Sequence, residues 1–560
     1  MASFVLNMQL AGGLSIFALK LTNLFIHCVI GLLIFWLSLT LLRLTCYRSS
    51  ASVLAVFVTG VWLLAPMNVS SVLYSIQRMA QLSALFSLLG LLLYVLGRER
   101  MINERPAWHL LGSAWFICWP LACLSKETGI LLGPLILATE VFFFRFVHLG
   151  MAPRRWRQLL IASIIVLIPS FVYLMWTDLI DYSQRDFTLG ERLLSQPRVI
   201  FGYLTNLLFP FGNDPGLFHD DFTVSTALFS PLSTLPSLLG LIILFAVMPV
   251  KLANNPRYAP VAYGLVFFLI GHGLESTVFP LEIYFEHRNY LPGFGIYFSI
   301  ALVGHQLFTK RRINRTILLV GAGCYAIYFG WLSYQRAQIW QDEGRIYTRA
   351  LAYHPSSPRA LSNYAQLLFS RGQVQQSLAL LDRLIEQSPY NALRSYIQKL
   401  FIQCAYNLPI PLEQYRQLDN SRDFGLEIEL SQTLSNLIQV YQNTKCDSLD
   451  IPQLSASLDA LAKRYAQQGH DPWTLRYYSH TLLYASGQHE KTFQRLYEDF
   501  TQGEINAGLY LLELLLENKR FDQIDSLLPK VTVQINQSPK PWTKQWLAEF
   551  HTKLEQTKAQ

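Results

Sequence analysis

Up to about residue 335 the chain carries apolar stretches long enough to cross a bilayer, and beyond it apolar residues recur at helical spacing among polar ones. Runs of roughly 18 or more apolar residues read as transmembrane helices. About ten are predicted, at 21–42, 51–66, 80–97, 107–124, 128–147, 158–177, 232–250, 259–275, 291–309 and 315–334.

The later region repeats a pattern of helix, short turn and helix. HPSSPRALSNYAQLLFSRGQVQQSLALLDRLIEQSP, residues 354–389, fits a tetratricopeptide repeat of about 34 residues. Tyr364 and Ala365 pack its first helix, Gly372 makes the turn, Ser377 lies where the helices cross and Pro389 closes the unit. A weaker copy, DPWTLRYYSHTLLYASGQHEKTFQRLYEDF, has Gly487 in its turn, and a fainter one surrounds LLELLLENKRFDQIDSLL. Such units stack into a solenoid whose concave face binds peptide or protein. A helical domain that only braces the membrane part is the alternative. The predicted fold is all-α: a polytopic transmembrane helix bundle over 1–335, then a soluble tetratricopeptide-like helical solenoid over 336–560.

Orientation follows from the lysine and arginine bias of short loops. The basic loops are Arg43 and Arg48; Arg98, Arg100 and Arg105; Arg145, Arg154, Arg155 and Arg157; Lys251 and Arg257; Lys310, Arg311, Arg312 and Arg315. They are assigned to the cytoplasm. Loops 66–79, SKETG, 178–231 and 272–290 are assigned outward, with everything after 335. This predicts a multi-pass protein of the bacterial inner (plasma) membrane with its C-terminal domain in the periplasm. The net charge of +8 thus reports topology, and no nucleic-acid partner is expected. Met1 then lies outside with no preceding span, which predicts a further N-terminal span before this start. Cys28, Cys46, Cys118, Cys123 and Cys324 read as packing residues. Cys404 and Cys446, placed outside where disulfides persist, are predicted to pair and close a loop of about 40 residues. Two free thiols are the alternative.

Candidate chemistry lies in four outward places. HGLESTVFPLEIYFEHRNYLP, residues 272–292, holds Glu275, Glu282, Glu286, His287 and Arg288, with Asn289 and Tyr290 leading into the next apolar run. Charge at a membrane boundary is costly, so such a cluster either satisfies structural pairs, Glu286 with Arg288 for example, or handles a polar substrate. Asn23 and His27 share one helix face at i, i+4, as packing or as binding groups. Gln77 and Arg78 top another span, and Arg78 offers a fork of donors suited to phosphate, or snorkels to headgroups. Lys126 and Glu127 lie in a tight turn, where they neutralise each other or the lysine meets phosphate. The paired acids Asp220 and Asp221 in HDDF could hold a divalent metal ion or simply be a solvated loop. No other cofactor is assigned. There is no GxxxxGK[ST], HExxH, GxSxG or CxxC. Polar groups at span ends, with few mid-membrane charges, argue against a solute pathway and for a site at the membrane–water boundary.

LTNLFIH, AP..VSSVLYSIQRMAQLSALFSLLGLLLY, SKETGILLGP and ESTVFPLEIYFEHRNYLPGFG, followed by the helical repeats, form a layout that resembles bacterial multi-span proteins of the GT-C glycosyltransferase superfamily. It is similar in plan to protein O-mannosyltransferases with luminal tetratricopeptide repeats. The resemblance covers residues 3 to about 390, with SIQRM, SKET and FEHRNYLP its most specific pieces. It implies transfer of a sugar from a polyprenyl-phosphate-linked donor to a protein or glycan acceptor on the periplasmic face, with membrane lipid around the site. It places the donor phosphate near Arg78, Lys126 and Arg288. It also implies a catalytic acid in the first outward loop, which no residue of this chain matches. The base would then be Glu286, Asp220 or Asp221, with the remaining cluster residues binding substrate. Two other functions are kept: a non-catalytic membrane-anchored scaffold whose repeats recruit an envelope or pilus partner, and a lipid-linked glycan ligase or polymerase.

Overall fold

The computed structural model describes residues 2–147, 182, 185–210, 216–310, 315–387, 392–420, 428–444, 446–467, 471–537 and 541–558, with isolated positions between 158 and 173. The expected span 158–177, Arg154, Arg155, Arg157, Arg311, Arg312 and Pro389 lie outside the described residues or at isolated positions among them. Every regular element among the described residues is helical. Two compact units emerge, residues 1–364 and 365–560.

In the first unit five helices among the described residues are long and apolar enough to cross a membrane, not about ten. They are Ile16–Arg43, Ser75–Ile102, Trp108–Ser125, Glu127–Phe144 and Thr234–Ala253. The expected spans at 51–66 and 259–275 are the shorter helices Arg48–Leu63 and Ala259–Gly271. At 1.5 Å per residue these reach only about 24 and 20 Å, short of a hydrocarbon core of about 30 Å. Apolar runs continue past the helix ends: Pro66 follows one, and the 272–292 loop follows the other. Gly293–Lys310 and Arg315–Ile339 fill the last two predicted positions as helices but stand outside the five. The first of these has its apolar length diluted by His305, Gln306 and Lys310.

Small residues set the closest approaches in this bundle. A methyl added at Gly264 would collide with the Gly295 carbonyl and the Ser299 hydroxyl, so Ala259–Gly271 and Gly293–Lys310 cross almost backbone to backbone. Ser299 seals that crossing, its Oγ reaching Val261 O at 3.0 Å and Gly295 O at 2.9 Å. Gly271 likewise accepts Pro292 against it. These helices flank the 272–292 loop. Facing that loop is the helix Leu189–Leu208, started by a capping box of Thr188 and Glu191. Its buried stripe of Arg192, Ser195, Gln196, Val199, Ile200 and Tyr203 follows helical periodicity. The unit continues past the expected boundary at 335, because Phe218 packs against Tyr347, Ala350 and Ala360.

The second unit is a series of helices, Val374–Gln387, Ala392–Ala405, Leu412–Asn420, Ile428–Thr444, Ile451–Gln467, Trp473–Ala485, His489–Thr501, Ile505–Glu517, Phe521–Gln537 and Pro541–Lys558. Apolar faces close into two cores, one around Leu400, Leu434 and Leu458 and one around Leu496, Leu512 and Ile524. The turn glycines Gly372, Gly487 and Gly503 have φ of +75°, +82° and +101°, where side chains are strained. Ser377 serves as the small crossing residue, its Oγ donating to Ala365 O at 2.7 Å.

Candidate functional site

The segments that carry the resemblance converge pairwise at one end of the bundle. Asn23 Oδ1 accepts from Arg78 Nε at 2.8 Å, while its amide reaches Val72 O at 3.2 Å. His27 Nε2 lies 3.1 Å from Leu63 O, and its Nδ1 lies 2.7 Å from Tyr290 Oη. A carbonyl can only accept, so the neutral ring carries its proton on Nε2 and Tyr290 donates to Nδ1. Trp62 Nε1 donates to Tyr290 O at 2.9 Å and stacks its ring edge on Tyr290. His27 and Tyr290 thereby fasten the first long helix to the end of the loop, while Asn23 fastens it to the segment 72–78.

Two expected pairings are replaced by others. Lys126 pairs with Glu275 at 2.5 Å, both almost buried, and not with the neighbouring Glu127, which is half-buried at the head of a short helical turn. Glu286 pairs with Arg336 at 2.8 Å, and not with Arg288. Arg336 also donates to Pro66 O at 2.5 Å. Glu282 meets Arg185 at 2.9 Å. Burial works against ionisation of Glu275, but Lys126, Arg288 and His287 outweigh it and hold its carboxyl down at about 2. Burial, then the Lys126 charge, lowers the half-buried His287 to about 3, so it is neutral at physiological pH.

Three arginines are buried on neutral oxygens. Arg78 gives Nη1 to Ser3 O at 3.1 Å and Nη2 to Asn7 Oδ1 at 2.8 Å and Leu19 O at 3.0 Å, besides its bond to Asn23. Gln77, half-buried, directly precedes it. Arg288 donates to Ile283 O at 3.1 Å and Glu282 O at 2.6 Å, and its buried Nε has no hydrogen-bond partner among the described residues. Asn289 Nδ2 reaches Glu286 O at 3.3 Å, which tightens the same turn. Arg192 gathers the loop by donating to Thr277 O at 2.9 Å, Glu275 O at 2.6 Å and Leu281 O. Burial and the neighbouring Arg288 charge lower the Arg192 guanidinium to about 10. Neither Arg192 nor Arg288 has a carboxylate within ion-pairing distance among the described residues. Arg192 was hidden by reading 178–231 as loop. Its signal was the T-x-x-E capping box followed by Arg192, Val199 and Tyr203 on one helical face.

The acidic pair of HDDF is committed to fastening. Asp220 accepts from Ser357 Oγ at 2.6 Å and from the Arg359 amide at 2.9 Å, capping the start of the helix Pro358–Ser370. Asp221 meets His354 Nδ1 at 2.8 Å. Burial raises the Asp221 carboxyl, and the His354 hydrogen bond and charge more than reverse it, leaving it lowered. Among the described residues no three His, Cys, Asp or Glu side chains are grouped to hold a metal ion. A different acid, Asp186, has no ion pair among the described residues. Its side chain reaches the surface, yet displaced water and then the Glu282 charge push its carboxyl up. In the second unit Cys404 and Cys446 are buried free thiols in one apolar core.

Comparison with protein families finds a tetratricopeptide repeat over residues 344–395. No curated protein and no solved structure matches the chain. The repeat fits a peptide or protein partner in general.

Proposed function

We propose that the chain is an integral membrane glycosyltransferase that moves a sugar from a polyprenyl-phosphate-linked donor to a protein or glycan acceptor. The site is the membrane boundary bearing the 272–292 loop, read as the periplasmic face of a bacterial inner membrane. One observation carries this reading: Arg192 and Arg288 are buried near each other on carbonyl oxygens and among the described residues neither is ion-paired, while Glu275, whose carboxyl feels the Arg288 charge, is paired with Lys126. Removing a cation from water costs several kcal/mol even after relaxation. Carbonyl dipoles offset part of that, and the phosphodiester monoanion of the donor would offset more through charge-assisted bonds. As the bond from the anomeric carbon to phosphate breaks, charge grows on the leaving oxygen, so both arginines stabilise the transition state beyond the ground state. Asp186 is the acid best suited to take the acceptor hydroxyl proton, since Glu286, Asp220 and Asp221 are already engaged.

The test uses full-length protein in lipid nanodiscs. Polyprenyl phosphate should raise the melting temperature of the wild type, and Arg192→Gln or Arg288→Gln should remove that rise. Transfer of labelled sugar from a polyprenyl-phosphate donor to membrane acceptors should fall in parallel, and Asp186→Asn should lower transfer while leaving the lipid-induced rise intact. Unchanged transfer and lipid response in both arginine variants, at matched protein level, would overturn the assignment. The repeat at 344–395 favours a second reading, a membrane-anchored scaffold that recruits an envelope partner. That reading expects partner capture from a chain that transfers no sugar. A glycan ligase or polymerase would instead transfer a lipid-linked glycan.

A further inference from the structure

We infer that Cys404 and Cys446 are joined by a disulfide bond in the mature protein. They are the two cysteines of residues 365–560. Cys404 sits in the last turn of the helix Ala392–Ala405, and Cys446 follows the helix Ile428–Thr444 that packs against it. Their side chains are 0% and 2% exposed in one apolar core, where the Cys446 thiol adds to burial in raising the Cys404 thiol. Tyr415 belongs to the same core, and its hydroxyl accepts from the Asp450 amide at 3.0 Å, which fixes the segment carrying Cys446. Isolated buried cysteines are ordinary packing residues. Two that share one core beside a packed helix pair need only lose two hydrogens to become a crosslink.

The chemistry balances with the disulfide of a thiol–disulfide oxidoreductase as oxidant. One thiolate attacks a sulfur of the donor and releases the donor's other sulfur as a thiolate. The second cysteine then displaces the donor, which leaves as a dithiol carrying the electron pair, while the two protons pass to solvent and the donor. Burial raises the Cys404 thiol and shuts out an attacking protein, so the bond must form before this core closes. Once folded, it is sheltered from reductants for the same reason. Such a bond also places the residues 365–560 in an oxidising compartment during maturation. This inference is independent of the transfer reading, because it concerns a different unit and needs no substrate.

The experiment traps full-length protein from intact cells in acid, denatures it, alkylates it and maps peptides by mass spectrometry. A linked pair of peptides containing Cys404 and Cys446, two hydrogens lighter than the sum and separated by reductant, is expected. Cys404→Ser should expose Cys446 to full alkylation without reductant. In folded wild type, dithiothreitol should leave the link intact until denaturant is added. Complete alkylation of both cysteines without reductant would overturn the inference, as would a link between two chains.

Discussion

Two buried arginine sites in the first unit solve the same electrostatic problem differently. Arg98 lies on the helix whose other end carries Arg78, and both its side chain and that of Glu140 are fully buried. Glu140 takes Arg98 Nε at 2.5 Å, Tyr94 Oη at 2.9 Å and the Phe146 amide at 3.2 Å. Phe144 covers the guanidinium at 5.0 Å, and Val147 O accepts from it at 2.7 Å. This site holds its own counter-ion. Arg192 and Arg288 bond backbone carbonyls and have no ion pair among the described residues, and the Arg288 charge adds to the cost of Arg192. The same fold thus neutralises a buried guanidinium with a carboxylate at one place and holds two on carbonyl dipoles at the other.

The largest expected effect tests the neutralised site. Arg98→Met strands the Glu140 charge in a dry interior, which costs about 3–5 kcal/mol and should leave little folded protein. Adding Glu140→Leu should recover most of that loss in thermal melts of detergent-solubilised protein. If the single change were harmless, Arg98 would no longer be a reference for a structural arginine. Next in size, Arg192→Gln and Arg288→Gln should keep the fold but lose about 1.5–3 kcal/mol of anion binding, a fall of about 10- to 150-fold in transfer. Arg288→Lys should retain part of it, since ammonium keeps the charge but not the fork. Unfolding of the glutamine variants to the extent seen for Arg98→Met would erase the contrast.

A smaller effect is set by pH. The Glu275 carboxyl is held at about 2 against an ordinary 4.5, so its pairing with Lys126 stabilises the fold above 4.5. That contribution fades as pH falls from 4.5 through about 2. Melts of Glu275→Gln should therefore lie below wild type at pH 7, with the gap narrowing from pH 4.5 downward. A gap that stayed constant with pH would show that lost packing, and not charge, was responsible. The smallest effect lies in the second unit, where Gly487→Ala places a methyl at φ +82° and should cost about 1–2 kcal/mol.

Helices and turn glycines were legible because they are local: periodicity, Gly372 and Gly487 lie within a dozen residues of what they organise. The span count was overread because an apolar run does not reveal where its helix stops. Ala259–Gly271 ends at His272, well before the polar cluster at 282–289 begins. The approximate location of the candidate site was legible, since Asn23, His27, Arg78, Lys126 and the 272–292 cluster do meet in pairs. Their partners were not. Lys126 finds Glu275 at a separation of 149 residues, and Glu286 finds Arg336 at 50. Adjacent opposite charges such as Lys126 and Glu127 suggest a pair in sequence, yet backbone direction at the turn sends the lysine across to another segment.

The crossing at Gly264 and Gly295 has a consequence for how remote changes reach the site. Both helices run directly into the 272–292 loop, so the separation of their axes fixes the distance between the loop's two ends. A single added methyl at Gly264 must push the helices apart, because beside the Ser299 hydroxyl the obstruction includes the Gly295 carbonyl, which cannot swing away. The crossing then behaves as a fulcrum: a shift of well under an ångström there is delivered to Arg192's carbonyl partners and to Arg288 as a change of aim. Misplacement of about 1 Å can cost a catalyst 100-fold without altering any reacting group. A glycine that touches no charged group therefore governs the geometry of the 272–292 loop.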